Sequence, residues 1–313
     1  MNVKTDANIH TSVLLEELVS AVTIHHSAKN IIVDCTLGLA GHASQVIQKM
    51  NPGDIFIGFD ADERNLMLAQ ERLEALKTKT KIVLIHSNFE HLREELAKHD
   101  IHSITGIYYD LGVSSMHFDQ AERGFSLRLD GPLDMRFNTR SGKTAADVLN
   151  YSEEKDLFQI FKEYGEEPHC RKIAARVITA RKQKKFQTTT DLNDFLDSEI
   201  NSHIKTKTRV FQALRIEVNG ELDTLKGSLS QAIELLGSGG NIFVISFHSL
   251  EDRITKQTFK RETRDCICSD IICQCGHKKS LKLINKKPIL PGAEEQKTNS
   301  RSRSAKARHA QKI

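Results

Sequence analysis

The sequence has no apolar run long enough to cross a bilayer, and its first residues, MNVKTDANIHTSVLL, contain no apolar segment of the kind found in signal peptides. We therefore expect a cytoplasmic protein with no membrane partner. The G-x-S-x-G pattern of a nucleophile elbow is also absent. Although His248 and Ser249 are neighbours, closeness in sequence says little about triad geometry, so a serine hydrolase is disfavoured.

What is present is the composition of an ordinary globular protein. The 313 residues are 39% hydrophobic and 27% charged, enough for one large domain or two smaller ones. The net charge of +4 is uneven, because residues 278–313 hold eleven Lys or Arg and two Glu, which leaves −5 on the remaining chain. A basic tail on a mildly acidic body indicates a polyanionic partner, nucleic acid first, and is typical of a flexible tail or an RNA-contacting arm.

The stretch that organises the chain is residues 31–62, IIVDCTLGLAGHASQVIQKMNPGDIFIGFDAD. It has the order strand, glycine loop, helix, strand, with Asp60 at the tip of the second strand. Gly38 lets the chain leave the first strand in a conformation closed to other residues, and Gly41 lets the backbone approach a ligand. Asp60 can accept hydrogen bonds from both hydroxyls of a ribose.

The glycine loop is G-x-x-G and lacks the G-x-G-x-x-G pattern that cradles a dinucleotide pyrophosphate. A ribose-bearing ligand without a pyrophosphate, such as S-adenosylmethionine, therefore fits better than NAD. The alternative, in which Asp60 only caps the next helix, stays open at this point.

Two further strands are predicted at residues 81–86 and 104–110, and they place Phe89 and Asp110 at the same edge of the sheet. In a doubly wound sheet, ligands bind outside the carboxyl ends of the strands. Phe89 could border an adenine there or simply pack in the core. Composition does not separate these two roles.

The strand pattern stops after residue 110 and resumes at 241–249, after the GSGG break at 237–240. Between them lie a polar loop at 111–142 and several predicted helices. We therefore expect an α/β fold, with a discontinuous core at residues 1–115 and 207–313 and an inserted helical domain at 116–206. The helix at 168–182 is basic and no acid occurs between Pro168 and Thr190, which suits either a phosphate backbone or a solvated face.

Residues 266–277, CICSDIICQCGH, contain two C-x-C pairs. Cys266, Cys268, Cys273 and Cys275 offer zinc four soft ligands, with His277 nearby. The spacing differs from the commoner C-x-x-C knuckle. A reduced, metal-free loop is the alternative, and the sequence does not choose between them.

Long ordered motifs in this chain coincide with those of a known family: HTSVLLEE at 10–17, CTLGLAGH at 35–42, DLGVSS at 110–115, FDQAERGFSLRLDGPLDMR at 118–136, KTRVFQALRIEVNGEL at 207–222, ISFHSLEDR at 245–253 and NSRSRSAKAR at 299–308. The chain resembles the bacterial small-subunit ribosomal RNA cytosine-N4 methyltransferases, the RsmH or MraW family. The resemblance covers nearly the full length.

The resemblance implies a Rossmann-like S-adenosylmethionine methyltransferase core with an inserted all-helical domain for substrate recognition. It implies methylation of the N4 exocyclic amine of a cytidine in the decoding region of 16S ribosomal RNA. The family's cofactor contacts carry over to the following residues: Ala40, Gly41, His42, Asp60, Phe89, Asp110 and His117. Ala40 stands where the family has glycine, and we expect a negative φ there. His117 stands where many members have glutamine.

A cytosine amine is a poor nucleophile because its lone pair is delocalised into the ring, so catalysis needs acceptors that draw it toward sp³ geometry. Asp110 and the Ser114–Ser115 pair are the candidates, with Asp110 and Ser114 foremost. The competing class is a non-catalytic RNA-binding or ribosome-assembly protein on the same fold. The sequence leaves open whether free rRNA or the small subunit is the substrate and whether the chain forms a homodimer.

Overall fold

The computed structural model describes residues 12–22, 29–200, 203–268 and 274–313, with the backbone alone at 115 and 116. The chain divides into two compact units. The first consists of residues Met1–Gly112 and Leu222–Ile313, and the second is Val113–Glu221. Cys273 lies outside the described residues. Within the described residues, no helix combines the length and the apolar character that a bilayer crossing requires.

The α-helices of the described residues follow one another in chain order, and short 3₁₀ turns at Phe89–His91, Ala121–Arg123 and Ser300–Ser304 and a π-helical turn at Ile160–Tyr164 lie between them. Their bounds are α1 Leu15–Ala21, α2 Gly41–Lys49, α3 Glu63–Glu74, α4 Leu92–Ala97, α5 Ser115–Asp119, α6 Ala145–Tyr151, α7 Glu154–Gln159, α8 Cys170–Gln183, α9 Thr189–Ile200, α10 Ile204–Asn219, α11 Glu221–Leu235, α12 Ser249–Glu262 and α13 Ala293–Thr298.

The first unit is built on a mixed sheet in the order β3-β2-β1-β4-β5-β7-β6. Its strands are β1 Ile31–Asp34, β2 Ile55–Asp60, β3 Lys81–His86, β4 Ile104–Asp110, β5 Leu236–Ser246, β6 Leu281–Leu283 and β7 Lys306–Lys312. Strands β1 to β5 pair in parallel, and β7 pairs antiparallel with both β5 and β6. The order reverses between β1 and β4, which is the switch point where such sheets bind ligands. The predicted Rossmann-like α/β class is confirmed.

Alternation along the central strands explains why they read as continuous apolar runs. Ile32 and Tyr108 pack in one core with helices α1 to α3, whereas Val33 and Tyr109 pack in the core on the opposite face with α4 and α11. Successive side chains of a strand point to opposite faces, so a sheet covered by helices on both faces needs apolar residues at both.

The basic C-terminal region is folded, which contradicts the flexible tail, one of the two alternatives left open by the sequence. Its last strand, β7, pairs with β5 through six residues, from Asn241 opposite Gln311 to Ser246 opposite Lys306. Ala307 and Ala310 are fully buried, and Arg308 Nε donates to Asp252 Oδ1 at 2.7 Å. The sequence of β7 shows no apolar periodicity, because its buried residues are alanines between charged residues. The strand therefore buries little more than methyl groups.

The predicted break at 237–240 is also wrong, since β5 begins at Leu236 and includes the GSGG segment. The register of β4 against β5 shifts between Ile104 and Gly106, opposite this segment. Glycines within a strand often mark such an irregularity. The break in local pattern is therefore a bulge in a longer strand.

The second unit is helical in its described residues, apart from an isolated bridge between Pro132 and Thr188. Helices α6 to α10 enclose a core in which Leu149, Phe161, Ile173 and Leu214 are fully buried. Helix α6 begins with a capping box between Thr144 and Asp147, as a Thr-x-x-acid pattern favours.

Candidate functional site

The glycine loop after β1 is attached to the end of β2 by a hydrogen bond. Gly38 has a φ of 51°, a conformation that favours glycine, and its N–H donates to Asp60 Oδ2 at 2.8 Å. The predicted reason for a glycine at this position is confirmed. The loop is therefore shaped around a carboxylate that the next strand supplies.

Ala40 departs from the expectation for its backbone. Its φ is +57°, in the left-handed region, and its side chain is fully buried at the start of α2. The prediction of a negative φ is wrong, because the path from Gly38 into α2 requires the left-handed turn whichever residue stands there. An alanine in this conformation costs on the order of 1–2 kcal/mol. The strain lies in the loop that leads to the switch point.

Gly41 begins α2. The structure gives a reason for glycine at this position that does not involve a ligand. A methyl group on Gly41 would come within 2.2 Å of Ser12 Oγ. Its missing side chain therefore admits the N-terminal segment of this chain against the helix start. Sequence pattern alone did not distinguish a ligand from another part of the chain.

Asp60 accepts several hydrogen bonds that hold the turn after β2. Besides Gly38, the N–H of Asp62 donates to Oδ1 at 2.7 Å, and Asn65 Nδ2 lies 3.3–3.4 Å from both oxygens. The N-cap of α3 is Asp62, whose side chain accepts from Arg64, so Asp60 is not a simple helix cap. Burial raises the pKa of Asp60 to about 7 although its backbone donors oppose the shift.

Asp110 ends β4 and faces His42 from the first turn of α2. The distance from Asp110 Oδ2 to His42 Nδ1 is 3.4 Å. His42 Nε2 lies 2.9 Å from the Val13 carbonyl, which can only accept, so Nε2 carries a hydrogen. Nδ1 of the neutral ring then presents its lone pair to Asp110. One proton between Nδ1 and Oδ2 is needed for the two groups to attract.

Burial sets the charge preference of this pair. Burial raises the pKa of Asp110 to about 7, and the nearby negative charge of Glu251 adds to the increase. Burial lowers the pKa of His42, although the Val13 carbonyl and the charge of Asp34 oppose the change. Asp110 Oδ1 is buried and has no hydrogen-bond partner among the described residues. It can therefore accept a hydrogen bond from a ligand.

Asp34, at the end of β1, is a site residue that was not among the predicted ones. Its side chain is buried, and burial raises its pKa to about 7 although the N–H of Thr36 donates to Oδ1 at 2.9 Å. The carboxyl group directly after the first apolar run was the signal that could have indicated it.

Phe89 lies just beyond β3, in the turn Phe89–His91. It is half-buried, and its ring meets the Tyr109 ring edge to face at 5.6 Å between centroids. Both predicted roles remain compatible with this position, since one part of the ring packs on the core and the rest is accessible.

Two predicted site residues, Ser114 and His117, belong to the second unit. The N–H of Ser114 donates to His117 Nδ1 at 3.1 Å, and the Ser114 hydroxyl lies 3.0 Å from the same nitrogen. His117 is buried against the stacked rings of Phe125 and Phe137, with centroids 5.0 and 5.4 Å away. Its Nδ1 is an acceptor within its own loop, which holds Ser114 in place.

The edge of the first unit has the chemistry of a site for a cationic, hydroxyl-bearing ligand. Asp34, Asp60 and Asp110 bring three carboxyl groups to the carboxyl ends of β1, β2 and β4, each with its pKa raised by burial. A positive charge placed there would stabilise the carboxylates. The unpartnered Asp110 Oδ1 adds a specific acceptor. These carboxylate acceptors fit the sulfonium, ammonium and ribose groups of S-adenosylmethionine.

Comparison with known proteins agrees with this chemistry. The profile of the MraW methylase family matches residues 7–313. The chain belongs to the MraW methylase family. Membership confirms the resemblance found in the sequence, the predicted enzyme class of methyltransferase and the S-adenosylmethionine cofactor of that family.

Relatives of this MraW methylase align along almost their whole length. The ribosomal RNA small subunit methyltransferase H of Clostridioides difficile is 43% identical over 311 residues, which are 97% of this chain and 99% of the relative. The protein of the same name from Caldicellulosiruptor saccharolyticus is 45% identical over 309 residues, with the same coverage. The solved structure of an rRNA methylase from Streptococcus thermophilus was also compared with this chain. The superposition covers 96% of this chain and 93% of the methylase, with 10% sequence identity and a TM-score of 0.43.

Proposed function

We propose that this MraW methylase transfers a methyl group from S-adenosylmethionine to the N4 amine of a cytidine in the decoding region of 16S rRNA. The observation that carries the proposal is the Asp110 carboxyl group at the switch point, with one oxygen facing His42 and the other unpartnered. The names of the relatives, small-subunit rRNA methyltransferases, support the substrate class.

The first unit holds the cofactor in this proposal. The loop Ala40–Gly41–His42 lies beside it, Asp60 accepts from the ribose hydroxyls, and Phe89 borders the adenosine. Asp60 keeps acceptor capacity for this role because two oxygens offer about four lone-pair sites. When bound, S-adenosylmethionine supplies an electrophilic methyl group.

Asp110 acts on the amine. Its Oδ1 accepts a hydrogen bond from the N4 amine, which draws the nitrogen lone pair out of conjugation with the ring. The amine nitrogen gains the methyl group as the bond between that methyl group and the donor sulfur breaks, and the nitrogen must lose one proton. The Asp110 carboxylate takes that proton at Oδ1, so Oδ2 carries no proton at this step. When Oδ2 is protonated in the resting site, its proton points to the lone pair of His42 Nδ1, which orients the carboxyl group and takes the proton before Oδ1 acts as the base.

Ser114 is the second proposed acceptor, and His117 positions it. Because His117 Nδ1 accepts from the Ser114 N–H, the hydroxyl oxygen of Ser114 is held with lone pairs to offer. The contact of His117 with the cofactor stays a prediction. Ser114→Ala should therefore lower turnover less than a change at Asp110.

We assign substrate recognition to the helical second unit. Helix α8 carries Lys172 and Lys182 on its exposed surface, where they suit phosphate groups. Other basic residues of the region are engaged within the unit: Arg181 donates to the carbonyls of Leu149 and Ser152 at 2.9 and 2.7 Å. The proposed RNA contact therefore belongs to the exposed lysines.

A methyl-transfer assay tests the proposal. Small subunits isolated without the modification, and the free 16S rRNA extracted from them, are incubated with the protein and labelled cofactor, and mass spectrometry locates the methyl group. We expect one N4-methylated cytidine in the decoding region, with the Asp110→Asn variant as the control for catalysis. Tight subunit binding without methylation of either substrate would favour the non-catalytic assembly protein instead.

The two substrates in that assay also distinguish free rRNA from the small subunit. Sedimentation of the protein at assay concentration tests the expected homodimer. A monomer that methylates at the full rate would remove the dimer from the proposal and leave the activity intact.

A further inference from the structure

The sulfur cluster that joins α12 to β6 takes no part in the proposed methyl transfer. It comprises Cys266, Cys268 and Cys275, whose Sγ atoms all lie within 4.8 Å of one another. Cys266 and Cys268 are two residues apart on one limb of the loop, and Cys275 comes from the other limb.

The separation across the loop, from Cys266 Sγ to Cys275 Sγ, is that of one edge of a metal tetrahedron, and the separation within the C-x-C pair is shorter. Cys266 Sγ lies 3.2 Å from Cys268 Sγ and 3.9 Å from Cys275 Sγ. A disulfide needs about 2.05 Å. Zinc–sulfur bonds of about 2.3 Å in a tetrahedron place the sulfurs about 3.8 Å apart. The two limbs therefore present their thiols at a spacing suited to one shared ion.

The described limbs of the loop are held mainly by polar contacts. At the base, Ser280 donates from its N–H to the Glu262 carbonyl and from its hydroxyl to Glu262 Oε2, each at 2.8 Å. Lys279 Nζ lies 3.7 Å from Asp265 Oδ2, and His277 Nε2 lies 3.9 Å from Glu262 Oε2. The described residues of 264–268 and 274–279 are all exposed or half-buried. Because these described residues bury no apolar side chain, a structural metal would supply order that packing does not.

The backbone turns back immediately after the third thiol. Gly276 follows Cys275 with a φ of 61°, in the left-handed region that favours glycine.

We propose that Cys266, Cys268 and Cys275 bind a zinc ion that clips together the two limbs of the loop between α12 and β6. Zinc is the choice because three thiolates form a soft ligand set and the sulfurs of the two limbs already lie within reach of one ion. The ion has a structural role, distinct from the carboxyl-lined edge where methyl transfer is proposed.

Metal analysis of the full-length protein tests the proposal. Protein produced with zinc supplied and purified under reducing conditions should hold about one zinc ion per chain, whereas Cys266→Ser and Cys275→Ser should each fall to below about a tenth of that, because structural zinc affinity depends on every thiolate. Cys170→Ser, at a free cysteine in the second unit, is the matched control and should keep its zinc.

A measurement on the unmodified chain covers the case in which a variant fails to fold. The protein is stripped with a chelator, and alkylation of each cysteine is followed by mass spectrometry with and without added zinc. We expect zinc to slow alkylation of the three loop cysteines at least about tenfold and to leave Cys170 unchanged. Zinc-free protein, equal protection of Cys170, or a disulfide within the cluster under reducing conditions would each overturn the proposal.

Discussion

The edge of the sheet in the first unit and two polar contacts of the second unit differ in how their hydrogen-bonding capacity is used. At the edge, Asp110 Oδ1 is buried without a partner among the described residues, and three carboxyl groups have raised pKa values. In the second unit, His117 holds Ser114 and Arg181 joins two carbonyl groups. Since Asn193 Oδ1 of the second unit also has no hydrogen-bond partner among the described residues, unused capacity alone does not mark a ligand site. At Asp110 it coincides with the carboxyl ends of the parallel strands, where such sheets bind ligands.

Replacement of Asp110 should have the largest effect on this comparison. Asp110→Asn removes the proton acceptor while keeping the size of the side chain, so we expect turnover to fall by about 10²–10⁴-fold. Cofactor affinity, measured by calorimetry, should change far less. A single-turnover rate equal to that of the unmodified protein would show that Oδ1 is not the acceptor.

The pH dependence of cofactor binding tests the same edge. Asp34, Asp60 and Asp110 have pKa values of about 7, and a cationic ligand favours their charged forms, so binding should release protons. Affinity should rise as pH increases through about 7, and the binding heat should depend on the ionisation enthalpy of the buffer. Asp60→Asn should reduce the number of protons released. Affinity that is flat between about pH 6 and 8 would contradict the raised values.

Stability of the ligand-free protein should move in the opposite direction. The folded carboxyls hold protons that the unfolded chain, with the usual value of 3.8, has already released. Their contribution to the free energy of unfolding is complete below about pH 4 and is lost as pH rises through about 7. Chemical denaturation at several pH values, with Asp60→Asn as the comparison, measures it.

Arg181 and Lys182 are adjacent basic residues of α8 with different expected roles. Arg181 holds the unit together, and Lys182 is proposed to contact RNA. Arg181→Ala leaves the carbonyls of Leu149 and Ser152 without this donor, and we expect a loss of about 1–3 kcal/mol in the free energy of unfolding. Lys182→Ala should change stability by less than about 0.5 kcal/mol but weaken subunit binding and reduce its salt dependence. Equal losses of unfolding free energy in the two variants would show that Arg181 and Lys182 do not differ in this way.

The smallest effect is expected at Ala40. Ala40→Gly relieves the left-handed strain, but it loses a buried methyl group and makes the unfolded chain more flexible. These contributions are each about 1 kcal/mol, so the net change in unfolding free energy should be below about 1 kcal/mol. Ala40→Val is the control and should be destabilised by more than about 2 kcal/mol, because β-branched residues scarcely adopt positive φ. An unaffected valine variant would contradict the left-handed turn.

Much of the fold could be read along the chain. The predicted strands at 81–86 and 104–110 agree with β3 and β4 residue for residue. Both are apolar runs bounded by polar turns, which is the local pattern of a strand, although β4 is buried and β3, at the edge of the sheet, is only partly buried. Strand β7 escaped prediction because its pairing with β5 joins residues such as Asn241 and Gln311 that are far apart in sequence.

The positions of the residues at the sheet edge were predicted better than the structural reasons for those residue types. Asp60 and Asp110 stand at strand ends, so their place followed from the order of strands and loops. The reason for Gly41 did not, because Ser12 approaches it from another part of the chain. The backbone of Ala40 likewise depends on the path between β1 and α2, which residue type alone does not specify.

The sequence by itself determined the family, the parallel core and the acidic residues at its edge, because those features are patterns of neighbouring residues. Only the tertiary structure decided which polar groups are spent on the fold and which remain for chemistry. Arg181 and Arg308 have partners on distant segments, while Asp110 keeps an oxygen without a partner among the described residues. Burial and hydrogen-bond partners arise when distant segments meet, and no local pattern records them.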